Sequence, residues 1–249
     1  MASASARRDT TSDLAPEGTL RVAINLGNPI LAVRGAPGEP RGVSVDIARE
    51  AARRLDLPIE WVEFRCAGAV VEAVKARQVD VAFVAIDPAR AADVSYTAPD
   101  VIIEGAYLVR DSSALHSNED VDRAGIRVAV GRAGAYDLFL ARTLKRATLV
   151  RAPSSPEVTE LFLAENLDVA AGVRPQLEAD AWRVGGVRLL PGRFMAIEQA
   201  IGLPRGRPLA QEWLRGFIEE LKTSGFVATA LRRHGIEGAV VAPRAPPAP

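Results

Sequence analysis

Cysteine is almost absent from this sequence, since Cys66 is the only one among 249 residues. A single cysteine cannot form an internal disulfide, and no His, Cys, Asp or Glu residues cluster with the spacing of metal ligands. We therefore predict a protein without disulfide, metal or cofactor, in which Cys66 is a small buried or half-buried residue.

Long apolar runs are also missing. No stretch approaches the roughly 20 apolar residues that a membrane-spanning helix needs. The polar first 18 residues lack the apolar core, about 7–15 residues long, of a secretory signal. Two locations stay open on this basis: the cytoplasm, or the periplasm if an export signal is missing from this sequence.

Neither sign of charge is in excess, because 31 basic residues balance 31 acidic ones. No long basic run creates a local positive field, so we expect no nucleic-acid partner. The two histidines, His116 and His234, have no Ser or Cys partner in a recognisable catalytic motif. We therefore predict a binding protein rather than an enzyme.

Short apolar runs alternate with helical patterns along the chain, which favours α/β lobes with largely parallel sheets. The pattern also repeats. Leu20-Arg-Val-Ala-Ile24 returns as Ile126-Arg-Val-Ala-Val130, and Val79-Asp-Val-Ala82 returns as Leu167-Asp-Val-Ala170. The matching order favours two similarly built lobes, although chance similarity between two βα units is the alternative.

Two apolar, extended segments, residues 101–109 and 194–203, fit neither copy of the repeat and lie where strands would cross between lobes. The predicted organisation places lobe 1 in residues 18–106 and 200–238, lobe 2 in residues 107–199, and disordered segments at 1–17 and, because of its prolines, at 239–249.

Several motifs occur in a fixed order: Gly18-Thr-Leu-Arg-Val-Ala, Gly42-Val-Ser-Val-Asp-Ile-Ala, Val79-Asp-Val-Ala, Asp87-Pro-Ala-Arg90 and Ser95-Tyr-Thr-Ala-Pro99. Over about residues 18–238 the chain resembles the amino-acid-type, family 3 solute-binding proteins of bacterial ABC importers. The resemblance implies a type II periplasmic-binding-protein-like fold of two α/β lobes joined by two crossover strands. It also implies a ligand held in the cleft between the lobes, a periplasmic location and an ABC transporter permease as partner.

Arg90 is the first candidate for ligand binding. In Asp87-Pro88-Ala89-Arg90, Asp is a preferred N-cap and Pro is favoured at the first helical position. Arg90 is thereby placed just after a buried strand, where open α/β sheets bind ligands. The matching arginine of the family binds the ligand's carboxylate. The alternative is a surface arginine that pairs with Asp87 or Asp93.

The second candidate is the start of the helix after Gly131-Arg-Ala-Gly-Ala135, because free N–H groups at a helix start bind anions. Gly134 would let the backbone approach the ligand. Many relatives carry a hydroxyl residue after this glycine, whereas this chain has Ala135. Arg132 would add positive charge or would simply be solvated.

The family's usual acceptor for an amino group is missing. Relatives that bind α-amino acids place an aspartate about five residues after the residue matching Asp168, and here that position is Val173. The ligand therefore lacks an ammonium group, or Glu198, Asp100 or Glu104 replaces the acceptor. A plain surface or hinge role is an equal alternative for each of these acids.

The loop at residues 25–31 matches the family's first ligand loop. It has the aliphatic Ile30 and Leu31 where many relatives have an aromatic residue. Asn25 and Asn28 would form hydrogen bonds with the ligand or would form turns.

We expect a monomer that binds a small anionic ligand, such as an amino acid or a related organic acid, for an ABC importer. Two alternatives are a cyclohexadienyl-dehydratase-like enzyme, with Glu198 or Asp87 as the proton donor, and a cytoplasmic metabolite sensor. The residues predicted to form the binding site are Arg90, Asp87, Ala85, Asn25, Gly134, Ala135, Tyr136 and Glu198.

Overall fold

The computed structural model describes residues 4–36 and 39–246, and the chain folds into two compact units. Unit 1 contains the chain up to Arg65, Ala69–Ile102 and everything from Glu198 onward, and unit 2 contains Cys66–Gly68 and Ile103–Ile197. The boundaries predicted from the sequence lie after residues 106 and 199.

The helices and strands follow the alternation expected from the sequence. In chain order they are α1 (Ala4–Leu14), β1 (Leu20–Asn25), β2 (Val33–Arg34), β3 (Pro40–Arg41), α2 (Val43–Leu55), β4 (Ile59–Phe64), α3 (Ala67–Lys75), β5 (Val81–Ala85), β6 (Val94–Tyr96), β7 (Val101–Arg110), β8 (Arg127–Gly131), α4 (Ala135–Thr143), β9 (Thr148–Ala152), α5 (Val158–Ala164), β10 (Val169–Val173), α6 (Arg174–Val184), β11 (Val187–Leu189), β12 (Met195–Pro204), α7 (Pro208–Thr223), α8 (Phe226–Arg233) and β13 (Ala239–Val241).

In unit 1, β1 pairs in parallel with β4 and β5. The part of β12 from Glu198 onward runs antiparallel to β5, with Gln199 opposite Ala85, and β6 pairs antiparallel with β12. All five residues of β5 are buried. That burial explains its unbroken apolar sequence, which is typical of a strand covered on both faces.

In unit 2, β8 lies in parallel between β10 and β9. The part of β7 from Ile103 onward pairs antiparallel with β10 and with β11. Phe162, Leu167 and Leu177 lie in the core of this unit and are almost completely buried.

The sequence repeat corresponds to one contact that occurs in both units. In unit 1 the Arg21 amide donates to Asp80 Oδ2 at 3.0 Å, and in unit 2 the Arg127 amide donates to Asp168 Oδ2 at 2.8 Å. Each pair joins the start of one strand to the residue just before the parallel strand beside it. The prediction of two similarly built α/β halves is confirmed at this level.

The N-terminal segment differs from the disorder predicted for residues 1–17, because residues 4–14 form α1. Asp13 Oδ2 accepts a hydrogen bond from the Ala210 amide at 2.9 Å, in the first turn of α7, and Leu14 is completely buried. The short, polar sequence of α1 gave no signal for this contact with a helix some 200 residues later. Residues 1–3 lie outside the described residues.

The C-terminal segment also differs from the predicted disorder over residues 239–249. Ala239–Val241 form β13, and the Ala242 amide donates to the Asp100 carbonyl at 2.9 Å. Residues 247–249 lie outside the described part of the chain. Among the residues described, no helix combines the length and the apolar character needed to cross a bilayer.

Candidate functional site

Arg90 lies at the C-terminal end of β5 in unit 1. The Asp87 side chain accepts a hydrogen bond from the Ala89 amide at 2.8 Å, and Pro88 opens a short 3-10 turn, Pro88–Arg90. The predicted cap is present, although the turn is 3-10 rather than α-helical. Arg90 Nη1 donates to the Ala85 carbonyl at 2.9 Å, so the last residue of β5 holds the guanidinium in place.

The surroundings of Arg90 do not match a surface arginine. Arg90 is only 4% exposed, and Asp93, one of its two proposed surface partners, pairs with Lys75 at 3.4 Å. Burial lowers the pKa of Arg90, while Tyr96 and Asp87 act in the opposite direction. Because arginine stays protonated in proteins, a largely buried cation lies at the end of this strand.

Tyr96 is a neighbour of Arg90 to which sequence reasoning gave no site role. It lies on β6, and burial raises its pKa to about 12 while the charge of Arg90 lowers it. Its place in Ser95-Tyr-Thr-Ala-Pro99 is the one signal that could have suggested a role beside Arg90.

Glu198 lies on β12 beside the same strand end. The Ile86 amide donates to the Glu198 carbonyl at 2.8 Å, and the Glu198 side chain is exposed. Within residues 4–36 and 39–246 this carboxylate forms no ion pair. The strand beside β5 thus carries an accessible carboxylate, and the buried Arg90 follows the C-terminal end of β5 itself.

The loop at residues 25–31 is held in part by hydrogen bonds within the loop itself. Asn25 Oδ1 accepts a hydrogen bond from the Gly27 amide at 3.0 Å, which is the turn-forming alternative of the sequence analysis. Asn28 Oδ1 is buried and has no hydrogen-bond partner among the described residues. Ile30 and Leu31 are both buried, so the aliphatic side chains pack within unit 1.

The start of α4 in unit 2 has the predicted form. Gly134 is the N-cap residue, and Ala135 and Tyr136 open the helix, so their amides belong to the turn that lacks intrahelical acceptors. Asp137 in the same turn is an anion, but Arg151 Nε donates to it at 3.0 Å and offsets its charge. Arg132, just before this start, is exposed.

The Tyr136 side chain points into unit 2 rather than outward. It is 3% exposed, its hydroxyl donates to Ser155 Oγ at 2.8 Å, and burial raises its pKa to about 12. A Cβ at Gly131 would lie 2.5 Å from that hydroxyl, so the glycine makes room for the tyrosine. Any contact of Tyr136 with a ligand must therefore come from its backbone.

Val173 is the last residue of β10 and the N-cap of α6, and it places no carboxylate at this strand end. It pairs with Gly105 of β7. Because side chains alternate along a strand, Glu104 lies on the opposite face from Val173. Glu104 accepts from Arg174 Nε at 2.8 Å and from Arg193 Nη1 at 3.2 Å, so two arginines already bind it.

Asp100, the third possible acceptor, is 1% exposed, and burial raises its pKa to about 7. It is therefore enclosed in unit 1. Of the three acids proposed to replace the aspartate missing at Val173, Glu198 is the one that is both exposed and without an ion-pair partner. No group of three metal-ligating side chains is placed to hold a metal ion in the part of the chain described here.

The sequence and the fold were compared with known proteins. The family profile of bacterial extracellular solute-binding proteins, family 3, matches residues 20–236. No curated protein matches the sequence.

Solved structures with the same fold are numerous. A mutant of ArgBP from T. maritima is 19% identical, with a TM-score of 0.78 over 92% of this chain and 100% of that one. The solute receptor for L-cysteine of Neisseria gonorrhoeae is also 19% identical, with a TM-score of 0.78 over 91% and 92%.

A third structure, an ancestral amino acid-binding protein described as a precursor of cyclohexadienyl dehydratase, is 19% identical, with a TM-score of 0.76 over 90% of this chain and 98% of that one. At such identities these likenesses show the fold, and the predicted periplasmic-binding-protein-like α/β fold is confirmed.

Proposed function

Because the chain belongs to the bacterial extracellular solute-binding proteins, family 3, we propose that it captures a small carboxylate-bearing ligand, an amino acid or a related organic acid. In this proposal it acts outside the cytoplasm and delivers the ligand to an ABC importer. The observation that carries the proposal is Arg90, a largely buried arginine held at the C-terminal end of β5.

The carboxylate of the ligand binds to Arg90. Ala85 holds the guanidinium, which Tyr96 and Asp87 also approach, and the planar guanidinium matches a carboxylate in bidentate geometry. Desolvation makes such a contact strong, since a buried cation gains more from an anion than a hydrated one does. In unit 2, the amides at the start of α4 are suited to bind an anion.

An amino group is not required of the ligand. Val173 supplies no acceptor, Glu104 is occupied by Arg174 and Arg193, and Asp100 is enclosed. Glu198 is exposed to solvent, so it provides no buried acceptor. A buried ammonium without an acceptor would lose several kcal/mol, on the order of the penalty for any unpaired buried charge. We therefore expect amine-free carboxylates to bind as well as the corresponding α-amino acids.

A dehydratase-type activity is the second candidate, and the exposed Glu198 on the strand beside β5 is what favours it. A carboxylic acid next to a bound anionic substrate can protonate a leaving hydroxyl group. Turnover of a prephenate-like compound, abolished by Glu198→Gln, would favour this candidate. Binding of that compound without turnover would favour the solute-binding function.

The test of the main proposal is a thermal-shift screen of amino acids, their deaminated analogues and prephenate-like compounds, since a ligand of the native state raises its melting temperature. Affinities of the hits are then measured by calorimetry for the wild type, Arg90→Ala and Arg90→Lys. The exposed Arg215→Ala in the same unit is the matched control.

We expect Arg90→Ala to weaken binding by more than about tenfold, because a buried charged partner contributes about 2 kcal/mol or more. Arg90→Lys, which keeps the charge but loses the two-pronged geometry, falls in between, and Arg215→Ala leaves affinity unchanged. A loss below about threefold for a folded Arg90→Ala protein contradicts the role of Arg90. Hits confined to α-amino acids contradict the interpretation of Val173.

A further inference from the structure

A carboxyl group outside the candidate site is enclosed in unit 1. Asp100 directly precedes β7 and is 1% exposed, and its Oδ1 has no hydrogen-bond partner among the residues described. Burial raises the pKa of Asp100 to about 7, although backbone hydrogen bonds and Lys222 act against the rise. A carboxylate in this place would leave a charged oxygen without a donor, which is costly.

Lys222, the cation that acts on Asp100 among the described residues, is engaged by other groups. The Lys222 side chain on α7 is 4% exposed, and Nζ donates to the Pro99 carbonyl at 3.0 Å and to the Pro243 carbonyl at 2.9 Å. It also pairs with Glu219 Oε1 at 2.5 Å. Since Glu219 already offsets its charge, Lys222 gives Asp100 only partial compensation.

The C-terminal strap, residues 239–246, covers this place. Its Ala242 amide donates to the Asp100 carbonyl at 2.9 Å, its Pro243 carbonyl accepts from Lys222, and its Ala245 amide donates to Glu219 Oε2 at 3.3 Å. Ala242 is 3% exposed. All three bonds join the strap to Asp100 or to the two α7 residues around it.

We propose that the C-terminal strap is a proton-operated latch, closed while the Asp100 carboxyl carries its proton and released when that proton is lost. Water reaches the carboxylate only when the strap moves away, so ionisation and release favour each other. The Asp100 amide donates to the Gln199 carbonyl at 2.8 Å. The latch thus acts on the residues at which the chain leaves unit 1 and returns to it.

Other titratable or charged groups lie around the strap: Lys222 and Glu219 contact it, and Glu212 and Arg215 of α7 line a pocket with Arg244 and Ala245. His234 caps the end of α8, which packs against β13. Because these groups are unchanged in Asp100→Asn, that variant separates their effect on the strap from the effect of Asp100. Residues 239–243 of the strap contain no titratable side chain, and Arg244 is exposed and stays charged.

The direction of the pH effect on strap release follows from the number of protons that each form binds. The closed form holds the Asp100 proton up to a pH of about 7, whereas a hydrated aspartate loses it near pH 4. The closed form therefore binds more protons between about pH 4 and 7, and over that range each unit of pH favours release by about tenfold; above about pH 7 the closed form also ionises and the equilibrium levels off.

Hydrogen exchange of the strap amides between pH 5.5 and 8.5 tests whether the strap opens as the pH rises. The rates are converted to protection factors, which removes the intrinsic pH dependence of exchange. We expect the protection of Ala242 and Ala245 in the wild type to fall by about tenfold per pH unit between pH 5.5 and about 7, and to level off above that pH. Asp100→Asn, which cannot ionise, should stay protected throughout. The control Asp56→Asn makes the same change at an exposed position in a left-handed conformation that asparagine tolerates, and it should behave like the wild type.

Constant protection in the wild type, or an equal fall in Asp100→Asn, overturns the proposal. If Asp100→Asn does not fold, Ala242→Pro replaces it, because it removes the strap's bond to the Asp100 carbonyl and leaves the carboxyl intact. In that variant NMR should show Asp100 titrating well below its wild-type midpoint, and an unchanged midpoint contradicts the latch.

Discussion

Asp80 and Asp168 occupy equivalent places in the two units, just ahead of β5 and β10, yet their surroundings differ. Asp80 is completely buried and binds Arg21 Nη2 at 2.8 Å and Arg207 Nη1 at 2.9 Å. The Asp168 side chain is 39% exposed, and the nearest guanidinium nitrogen, Nε of Arg127, is 3.9 Å away. The same sequence pattern therefore gives a buried ion-pair network in unit 1 and an exposed pair in unit 2.

The difference comes from chain segments far from either motif. Arg207, just before α7, donates to Asp80 and to the Leu14 carbonyl at the end of α1. Those two segments cover the start of β5 from opposite ends of the sequence. The repeat thus specifies how neighbouring strands are joined, while the covering segments decide how much a joining contact contributes to stability.

The largest expected effect is on the free energy of unfolding and concerns Asp80 and Asp168. Asp80→Asn should lower the free energy of unfolding of unit 1 by about 3–5 kcal/mol, because two arginines lose a buried partner. Asp168→Asn, the matched variant in unit 2, should lower it by less than about 1 kcal/mol, since exposed pairs contribute little. Urea unfolding followed by circular dichroism measures both, with separate transitions fitted if the units unfold independently.

Acid gives a second check on the same variants. Burial raises the pKa of Asp80, but hydrogen bonds from Arg21 and Arg207 outweigh it and bring the net pKa below the ordinary value. The stabilisation is present above about pH 4 and is lost as the pH falls through the lower folded-state pKa. Asp80→Asn should remove this acid-sensitive part. Equal losses from the two variants at neutral pH would mean that the difference in burial has no energetic consequence.

Local sequence patterns predicted the strands and the contact that links neighbouring parallel strands in each unit. The apolar run of β5, the echo around Arg127 and the Asp87-Pro88 cap are all local patterns with a direct structural meaning. Both termini were expected to be disordered because their composition is polar or proline-rich. Their order depends on contacts with distant segments, such as Asp13 with Ala210 and Ala242 with Asp100, and no local pattern encodes such contacts.

For the candidate site too, the sequence predicted the features that depend on local patterns but not those that depend on distant contacts. The place of Arg90 at a strand end followed from its cap, but its burial did not, because Ala85 and Tyr96 enclose it only in the folded unit. The absence of an acid at Val173 was visible in the sequence. That Glu104 is engaged by Arg174, 70 residues later, and by Arg193 depends on strand pairing, which sequence spacing does not reveal.

The ends of β5 and β10 extend the comparison to ligand binding, with a smaller expected effect. Val173→Asp would place an acceptor at the end of β10 and should raise the affinity for an α-amino acid, relative to its deaminated analogue, by about tenfold or more. Paired calorimetric titrations with the two ligands measure this ratio. Val173→Asn is the control, because it caps α6 as aspartate does but carries no charge.

If both variants shift the ratio equally, capping of α6 rather than charge is responsible. If neither shifts it, the end of β10 does not face the ligand's amino group. The second outcome would also remove the reason for regarding Val173 as the position that decides between amino acids and amine-free acids.

The smallest expected effect concerns a single hydroxyl at the start of α4. If the start of α4 is an anion site as proposed, Ala135→Ser should strengthen carboxylate binding by about threefold, because the helix amides supply the other donors there and the added hydroxyl contributes only about 0.5–1 kcal/mol. Ala135→Cys has nearly the same shape but a weak donor, so it should leave affinity at the wild-type value. Calorimetry with one carboxylate ligand compares all three proteins. Because Ala135 is 6% exposed, equal weakening by Ser and Cys would show that space rather than hydrogen bonding limits this position, and the anion site in unit 2 would then have to lie elsewhere than at the start of α4.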